Sequence, residues 1–183
     1  MSEVEFSHLD GPATLALLDE IQPLYLLAFP GNSLEDHTAR TTNQATAPGF
    51  ATVTARRDVH LIGFAYGLPL PPRTRWWHEL TPPRPPEWTA ETGTRTFALI
   101  DLAVHPAERR QGLGKHLVDE LLGSRRENRA TLATDPNKRH IQEMYERWGW
   151  QNVGRVPGSA RTTHPEFDLY VTTLDPPSAS NSR

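Results

Sequence analysis

At 183 residues the chain is long enough for one domain with a full core and short for two of ordinary size. It has no cysteine, so disulfide scaffolds, thiolate nucleophiles and cysteine-ligated metals are excluded together. The net charge is -3, no apolar run reaches membrane-spanning length, and the start, Met-Ser-Glu-Val-Glu-Phe, lacks the basic and apolar parts of a secretory signal. The expectation is a cytoplasmic protein with neither a nucleic-acid nor a membrane partner.

Charge is unevenly distributed along the chain. No Lys or Arg precedes Arg40, whereas Glu3, Glu5, Asp10, Asp19, Glu20, Glu35 and Asp36 are acidic; from Arg109 onward basic residues are frequent. One end suits a cationic partner and the other an anionic one, and two solvated helix faces give the same pattern. Val4 to Phe6 reads as a short first strand. Gly11-Pro12 then places a proline in the first turn of a helix through Leu15, Leu18 and Ile21, which Pro23 should kink or end. Ser33 is placed to cap a second helix with Glu35 and Asp36 in its first turn, and its polar content puts it on the surface. Phe50 to Ala55 and His60 to Leu68 read as an antiparallel hairpin.

Residues 69–95 form a proline- and tryptophan-rich insertion. Pro69, Pro71, Pro72, Pro82, Pro83, Pro85 and Pro86 exclude regular structure over most of it, and Trp76, Trp77 and Trp88 make it too aromatic for a plain linker. The tryptophans either pack this excursion onto the body or wall a substrate site. The following stretch, Thr96 to Leu122, organises the rest. An apolar run from Phe97 to Val104, broken only by Asp101, reads as a buried strand; Leu113, Leu117, Val118, Leu121 and Leu122 recur at helical spacing. Between them lies Arg109-Arg110-Gln111-Gly112-Leu113-Gly114. The first N–H groups of a helix lack intrahelical partners, and glycines let an anion approach the main chain, so this turn is a site for a phosphate or pyrophosphate.

Ala130 to Thr134 is a further strand. Asp135-Pro136-Asn137 begins a helix in which Ile141, Met144, Tyr145 and Trp148 share one face, and Trp150 to Val156 with Phe167 to Thr173 form a last strand pair. Residues 1–174 are expected to make one domain, with 175–183 a frayed tail. The eight histidines show no metal-ligand spacing, so no metal is expected. A P-loop enzyme is set aside because Gly112-Leu113-Gly114-Lys115 lacks the preceding glycine spacing and a following Ser or Thr. The excess of Arg over Lys, with many Pro and Ala, suggests a GC-rich bacterial genome.

The element order, the Arg-Arg-Gln-Gly-Leu-Gly turn and the downstream Met-Tyr-Glu-Arg-Trp-Gly-Trp resemble the GNAT superfamily of acetyl-coenzyme-A-dependent N-acetyltransferases. Arg109, Gly112 and Gly114 fill the fixed positions of the family pattern Arg/Gln-x-x-Gly-x-Gly/Ala. The resemblance implies an α/β (α+β) fold with a mixed, mostly antiparallel sheet of about six to seven strands flanked by helices, two of its strands splaying to admit the cofactor. It implies that main-chain N–H groups from Gln111 through Leu113 and Gly114 to Lys115 hold the pyrophosphate of coenzyme A, that Leu102, Ala103 and Val104 bond the pantetheine arm, and that Arg109, Arg110 and Lys115 add charge nearby. Tyr145 matches the tyrosine that protonates the departing thiolate. The family often has an asparagine early in this helix; Asn137 lies one residue beyond the common spacing, and Lys138 occupies the usual slot.

The acceptor amine must lose a proton. Asp101 is the first candidate to take it, because a carboxylate in an apolar strand needs a reason, and a structural hydrogen bond to a neighbouring strand is the alternative. His78 and Glu79 follow. The acidic N-terminal helices, Glu35 included, would line the acceptor side, with Trp76 and Trp77 stacking on a small cationic amine such as a polyamine, an aminoglycoside or a peptide amine. The function implied is acetyl transfer from acetyl-coenzyme A to such a primary amine by direct attack in a ternary complex, with a protein or peptide acceptor and a non-catalytic acyl-coenzyme-A-binding module as alternatives. Both monomer and homodimer fit.

Overall fold

The computed structural model describes residues 2–159, 162 and 164–175, so the expected tail beyond Asp175 lies outside the described residues. The fold is mixed, with helices flanking a seven-stranded sheet in the order β1 (Val4–Leu9), β2 (Ala51–Arg57), β3 (His60–Pro69), β4 (Thr96–Val104), β5 (Arg129–Thr134), β7 (Glu166–Thr173) and β6 (Gln151–Pro157). It is mostly antiparallel; β4 and β5 run parallel. By packing the chain divides into two compact units, Met1–Leu68 with Leu99–Ser124, and Pro69–Ala98 with Arg125–Arg183.

In the first unit β1 (Val4–Leu9) pairs with β2 (Ala51–Arg57), and β2 with β3 (His60–Pro69). Asp10 caps α1 (Gly11–Ala16) by accepting the Ala13 N–H at 2.9 Å. Pro23 does not end the helix. The helix interrupts at Leu17 and resumes as α2 (Leu18–Ala28), with Pro23 inside it. At the sixth residue of an eleven-residue helix, proline removes one ladder bond, to the carbonyl of Asp19, and that loss is tolerated here while Ile21, Leu24 and Tyr25 on the same helix are buried.

Helix α3 (Leu34–Gln44) is capped by the Ser33 hydroxyl, which accepts the Asp36 N–H at 3.2 Å. It is not the wholly superficial helix its composition suggests: His37 and Thr41, one turn apart, are completely buried. Along β3 the side chains alternate. Phe64 and Tyr66 join a core with Ile21, Leu24, Tyr25, Phe50 and Ala103. Gly63, on the other face, lets α5 (Leu113–Gly123) approach; a Cβ there would stand 2.8 Å from Leu117 Cδ1. Leu113, Leu117, Val118 and Leu121 are the buried stripe of α5, as the periodicity predicts.

In the second unit the opening residues of β4 (Thr96–Val104) pair in parallel with β5 (Arg129–Thr134), from Thr96 with Arg129 to Ala98 with Thr131. Strand β5 pairs along its whole length with β7 (Glu166–Thr173), and β7 with β6 (Gln151–Pro157). The insertion carries one short helix, α4 (Pro86–Thr89), and is tied to β6 by reciprocal main-chain bonds of 2.9 and 2.8 Å between Thr81 and Arg155. Helix α6 (Arg139–Arg147) completes the unit.

Candidate active site

The turn after β4 is built from the main chain. His105 still donates its N–H to Ile62 O on β3 at 2.8 Å, and its ring Nδ1 accepts the Ala107 N–H at 3.2 Å, which starts a 3-10 turn over Pro106–Glu108. Glu108 is held to β2 by Arg57, whose Nη2 donates at 2.9 Å. Arg110 (φ 63°) and Gly112 (φ 79°) both take left-handed backbone, and Gly112 is the N-cap of α5. Nothing lies within 4 Å of a Cβ built on Gly112, so the turn needs glycine for its backbone angle and not for space. A glycine cap has no side chain for the first N–H groups of α5, and no acidic residue occupies its first turn. The N–H groups of Leu113, Gly114 and Lys115 therefore present a positive main-chain edge. Gln111, Gly112 and Leu113 border a cleft of about 250 Å³ with Val4, Phe6 and His116.

The basic side chains here are committed differently from the main chain. Arg109 Nε donates back to Val104 O at 3.2 Å, and Lys115 Nζ pairs with both Asp119 oxygens at 2.9 and 2.7 Å. Arg110 is exposed.

Asp101, next to the expected pantetheine segment Leu102, Ala103 and Val104, is the centre of a buried polar cluster. Its Oδ2 accepts the Tyr66 hydroxyl at 2.7 Å and Arg40 Nη2 at 2.9 Å, with His37 Nε2 at 3.6 Å; Oδ1 has Arg40 Nη1 at 3.4 Å. Thr41 Oγ1 lies 3.1 Å from the Tyr66 hydroxyl, and His37 stacks on Tyr25 at 3.9 Å. Burial alone would raise the Asp101 pKa. The polar contact with His37, the Arg40 charge and the Tyr66 hydroxyl outweigh it, and the carboxyl sits below the ordinary aspartate range. Tyr66 moves the other way, well above the usual phenol value, because of its burial and then the Asp101 charge. The strand thus delivers an ionised carboxylate whose Oδ1 holds only a long contact among the described residues.

Tyr145 in the second unit is buried, with edge-on contacts to Trp148 at 5.4 Å and Trp150 at 5.9 Å between ring centres. Its neighbour Gln142, also buried, donates to Asp168 Oδ2 at 2.8 Å and Thr134 Oγ1 at 3.2 Å. Asn137 turns back on Asp135 Oδ1 through its N–H at 2.9 Å and its side chain at 3.2 Å. Lys138 is the exposed N-cap residue of α6.

The model of the acetyltransferase (GNAT) family matches residues 18–150. The chain belongs to the GNAT acetyltransferase family. It is an acyltransferase, with acetyl-coenzyme A as the acyl donor of its family. No curated protein sequence matches this acetyltransferase. Among solved structures, an aminoglycoside 6'-acetyltransferase type Ii is similar at 22% identity, a TM-score of 0.66 and coverage of 94% of this chain and 98% of that one. Arabidopsis thaliana NAA60, crystallised with acetyl-CoA, gives 17%, 0.66, 93% and 98%. The Escherichia coli ribosomal-protein-S18-alanine N-acetyltransferase gives 17%, 0.64, 99% and 99%. At these identities the likeness is one of fold.

Within the first unit of the acetyltransferase, one strand and the turn after it carry Asp101, the expected pantetheine segment and the glycine turn. Glu35 stands exposed in the first turn of α3, the helix that also carries Arg40. In the second unit Trp76 Nε1 donates to Thr131 Oγ1 at 3.0 Å, and Trp77 is buried with Nε1 on Glu91 Oε1 at 2.9 Å. Arg129 lies over the rings of Trp77 and Trp88 at 5.0 and 4.3 Å and pairs with the buried Glu91 at 3.0 Å. Trp77 and Trp88 therefore face a cation belonging to the chain, and the insertion is anchored through them. His78 and Glu79 are exposed, 3.9 Å apart. Sequence reasoning missed Arg40, Tyr66 and His37, of which only Arg40 had a signal, as the first basic residue of the chain. Among the described residues no group of three His, Asp or Glu side chains is placed to hold a metal ion, and no helix is long and apolar enough to cross a membrane.

Proposed function

We propose that this acetyltransferase moves an acetyl group from acetyl-coenzyme A to the primary amine of a small cationic molecule by direct attack in a ternary complex. The observation that carries the donor half is the edge of main-chain N–H groups at Leu113, Gly114 and Lys115, uncapped by Gly112 and unopposed by any first-turn acid. A diphosphate fits that edge. Leu102, Ala103 and Val104 are the proposed partners of the pantetheine arm, while Arg110 and Lys138, both exposed, are the remaining cations proposed for the phosphates, with Asn137 beside Lys138.

Bound acetyl-coenzyme A supplies a thioester, whose carbonyl carbon the amine nitrogen attacks while the sulfur leaves as a thiolate. Tyr145 is the proposed proton donor to that sulfur. Asp101 is the proposed acceptor of the amine proton, through Oδ1. Its pKa below the ordinary range means that it is ionised at neutral pH and can accept a proton, as a weaker base than an ordinary aspartate. With no cysteine in the chain, a thiol acyl-enzyme is excluded, in keeping with direct attack.

For the acceptor, the support is the acidic stretch before Arg40 and the exposed Glu35, Asp36, His78 and Glu79. Calorimetric titration with acetyl-coenzyme A should show one binding site per chain. No heat of binding would end the donor assignment, and binding with no thiol release across a broad amine panel would favour a non-catalytic module.

A further inference from the structure

We propose that Arg40 reads a carboxylate on the acceptor, so that the amine accepted is an amino acid or a short peptide and not a polyamine. The inference rests on the acetyl-transfer reading and revises its acceptor, from a simple cation to a molecule that carries a carboxylate beside its amine. Arg40 is fixed from behind by a buried carboxylate. Its partner Asp101 has a side chain only 9% exposed, whereas that of Arg40 is 37% exposed. Asp101 is itself fixed by the hydroxyl of Tyr66, a residue with no exposure at all. The guanidinium is therefore held in place by a buried anchor, while the side chain that carries it stays more than a third exposed.

The donor count makes the point sharper. A guanidinium carries five N–H groups in a rigid planar fork. Two are directed to Asp101, one at 2.9 Å and one at the long distance of 3.4 Å, and the Tyr25 hydroxyl is a further partner, which leaves part of the fork uncommitted. Among the described residues no second carboxylate pairs with Arg40, although Asp36 lies one turn before it on the same helix. A fork already immobilised loses little further freedom when it binds, and its geometry matches a carboxylate better than an ammonium-bearing chain does. The same cluster has a place for the opposite charge. Among the described residues Asp101 Oδ1 has only the long Arg40 contact, and Glu35 and Asp36 are exposed on α3. A small acceptor with both an ammonium and a carboxylate satisfies both, which a polycation cannot do beside Arg40.

The experiment uses the full chain with acetyl-coenzyme A and matched trios of acceptors: an amino acid, its carboxamide and the amine left on decarboxylation, for short, basic and aromatic side chains. Free coenzyme A release gives kcat and KM for each. The carboxylate member should exceed the other two by about 10- to 100-fold in kcat/KM, the span expected for charge-assisted hydrogen bonds, with the difference in KM. Arg40→Lys, which keeps the charge and loses the fork, and Arg40→Gln should both bring that ratio towards one. Equal kcat/KM across the wild-type trios, or an unchanged ratio in both variants, overturns the role of Arg40 alone. No coenzyme A release with any amine overturns it together with the transferase reading.

Discussion

Replacing Asp101 by Asn tests whether the buried cluster is held by charge. The amide keeps the shape of the carboxylate but carries no charge and has only one acceptor oxygen, where Tyr66 at 2.7 Å and Arg40 at 2.9 Å both now donate to Oδ2. Removing one partner of a fully buried ion pair costs about 3–5 kcal/mol. Arg40 is more than a third exposed, so water takes up part of its charge and the expected loss is nearer ~2 kcal/mol. With a urea slope of roughly 2 kcal/mol/M, the unfolding midpoint at neutral pH should fall by about 1 M. The pH dependence gives a second reading. A carboxyl whose folded pKa is lowered contributes stability that is present above its ordinary value of 3.8 and is lost as pH falls through the lower folded value. Wild type should lose this contribution in acid and Asp101→Asn should have none to lose. A change below ~0.5 kcal/mol at neutral pH, or equal acid sensitivity in both proteins, would refute the reasoning.

Other expectations follow from single features of the two units. Gly112→Ala forces a side chain into left-handed backbone at φ 79° without any steric obstacle, so it should cost about 1 kcal/mol and weaken acetyl-coenzyme A binding several-fold by calorimetry. Tyr145→Phe should lower kcat at least tenfold, an order-of-magnitude value for lost acid catalysis, and leave calorimetric acetyl-coenzyme A affinity within about twofold. Arg129→Met strands the buried Glu91 carboxylate and removes the cation from Trp77 and Trp88; thermal unfolding followed by tryptophan fluorescence should show a loss of about 3 kcal/mol.

What the sequence disclosed and what it hid divide along a physical line. The glycine turn was legible because its determinants are local: an apolar strand, a glycine whose backbone must be left-handed, and a stripe at helical spacing lie within one short stretch. Seven strands could be placed for the same reason, with ends off by a few residues; β1 runs on to Leu9 where Phe6 was expected. The surroundings of Asp101 were not legible, since Arg40, His37 and Tyr66 meet it across 61, 64 and 35 positions of chain. A polar helix was read as a surface one because averaging over α3 conceals that its two buried residues, His37 and Thr41, fall on one face. The tryptophans posed a question that composition could not answer; the buried pair Arg129 and Glu91, distant in sequence, shows what Trp77 and Trp88 pack against.

The central claim is that the glycine turn serves acetyl transfer to an amine, and it is tested most directly by following product and thiol together. Purified protein, acetyl-coenzyme A and the amine panel should yield free coenzyme A and acetylated amine in equal amounts, as mass spectrometry and thiol titration would record, with both lost in parallel when Tyr145 is changed to Phe. Acetyl-coenzyme A that stays intact with every amine, despite measurable binding, would contradict the account.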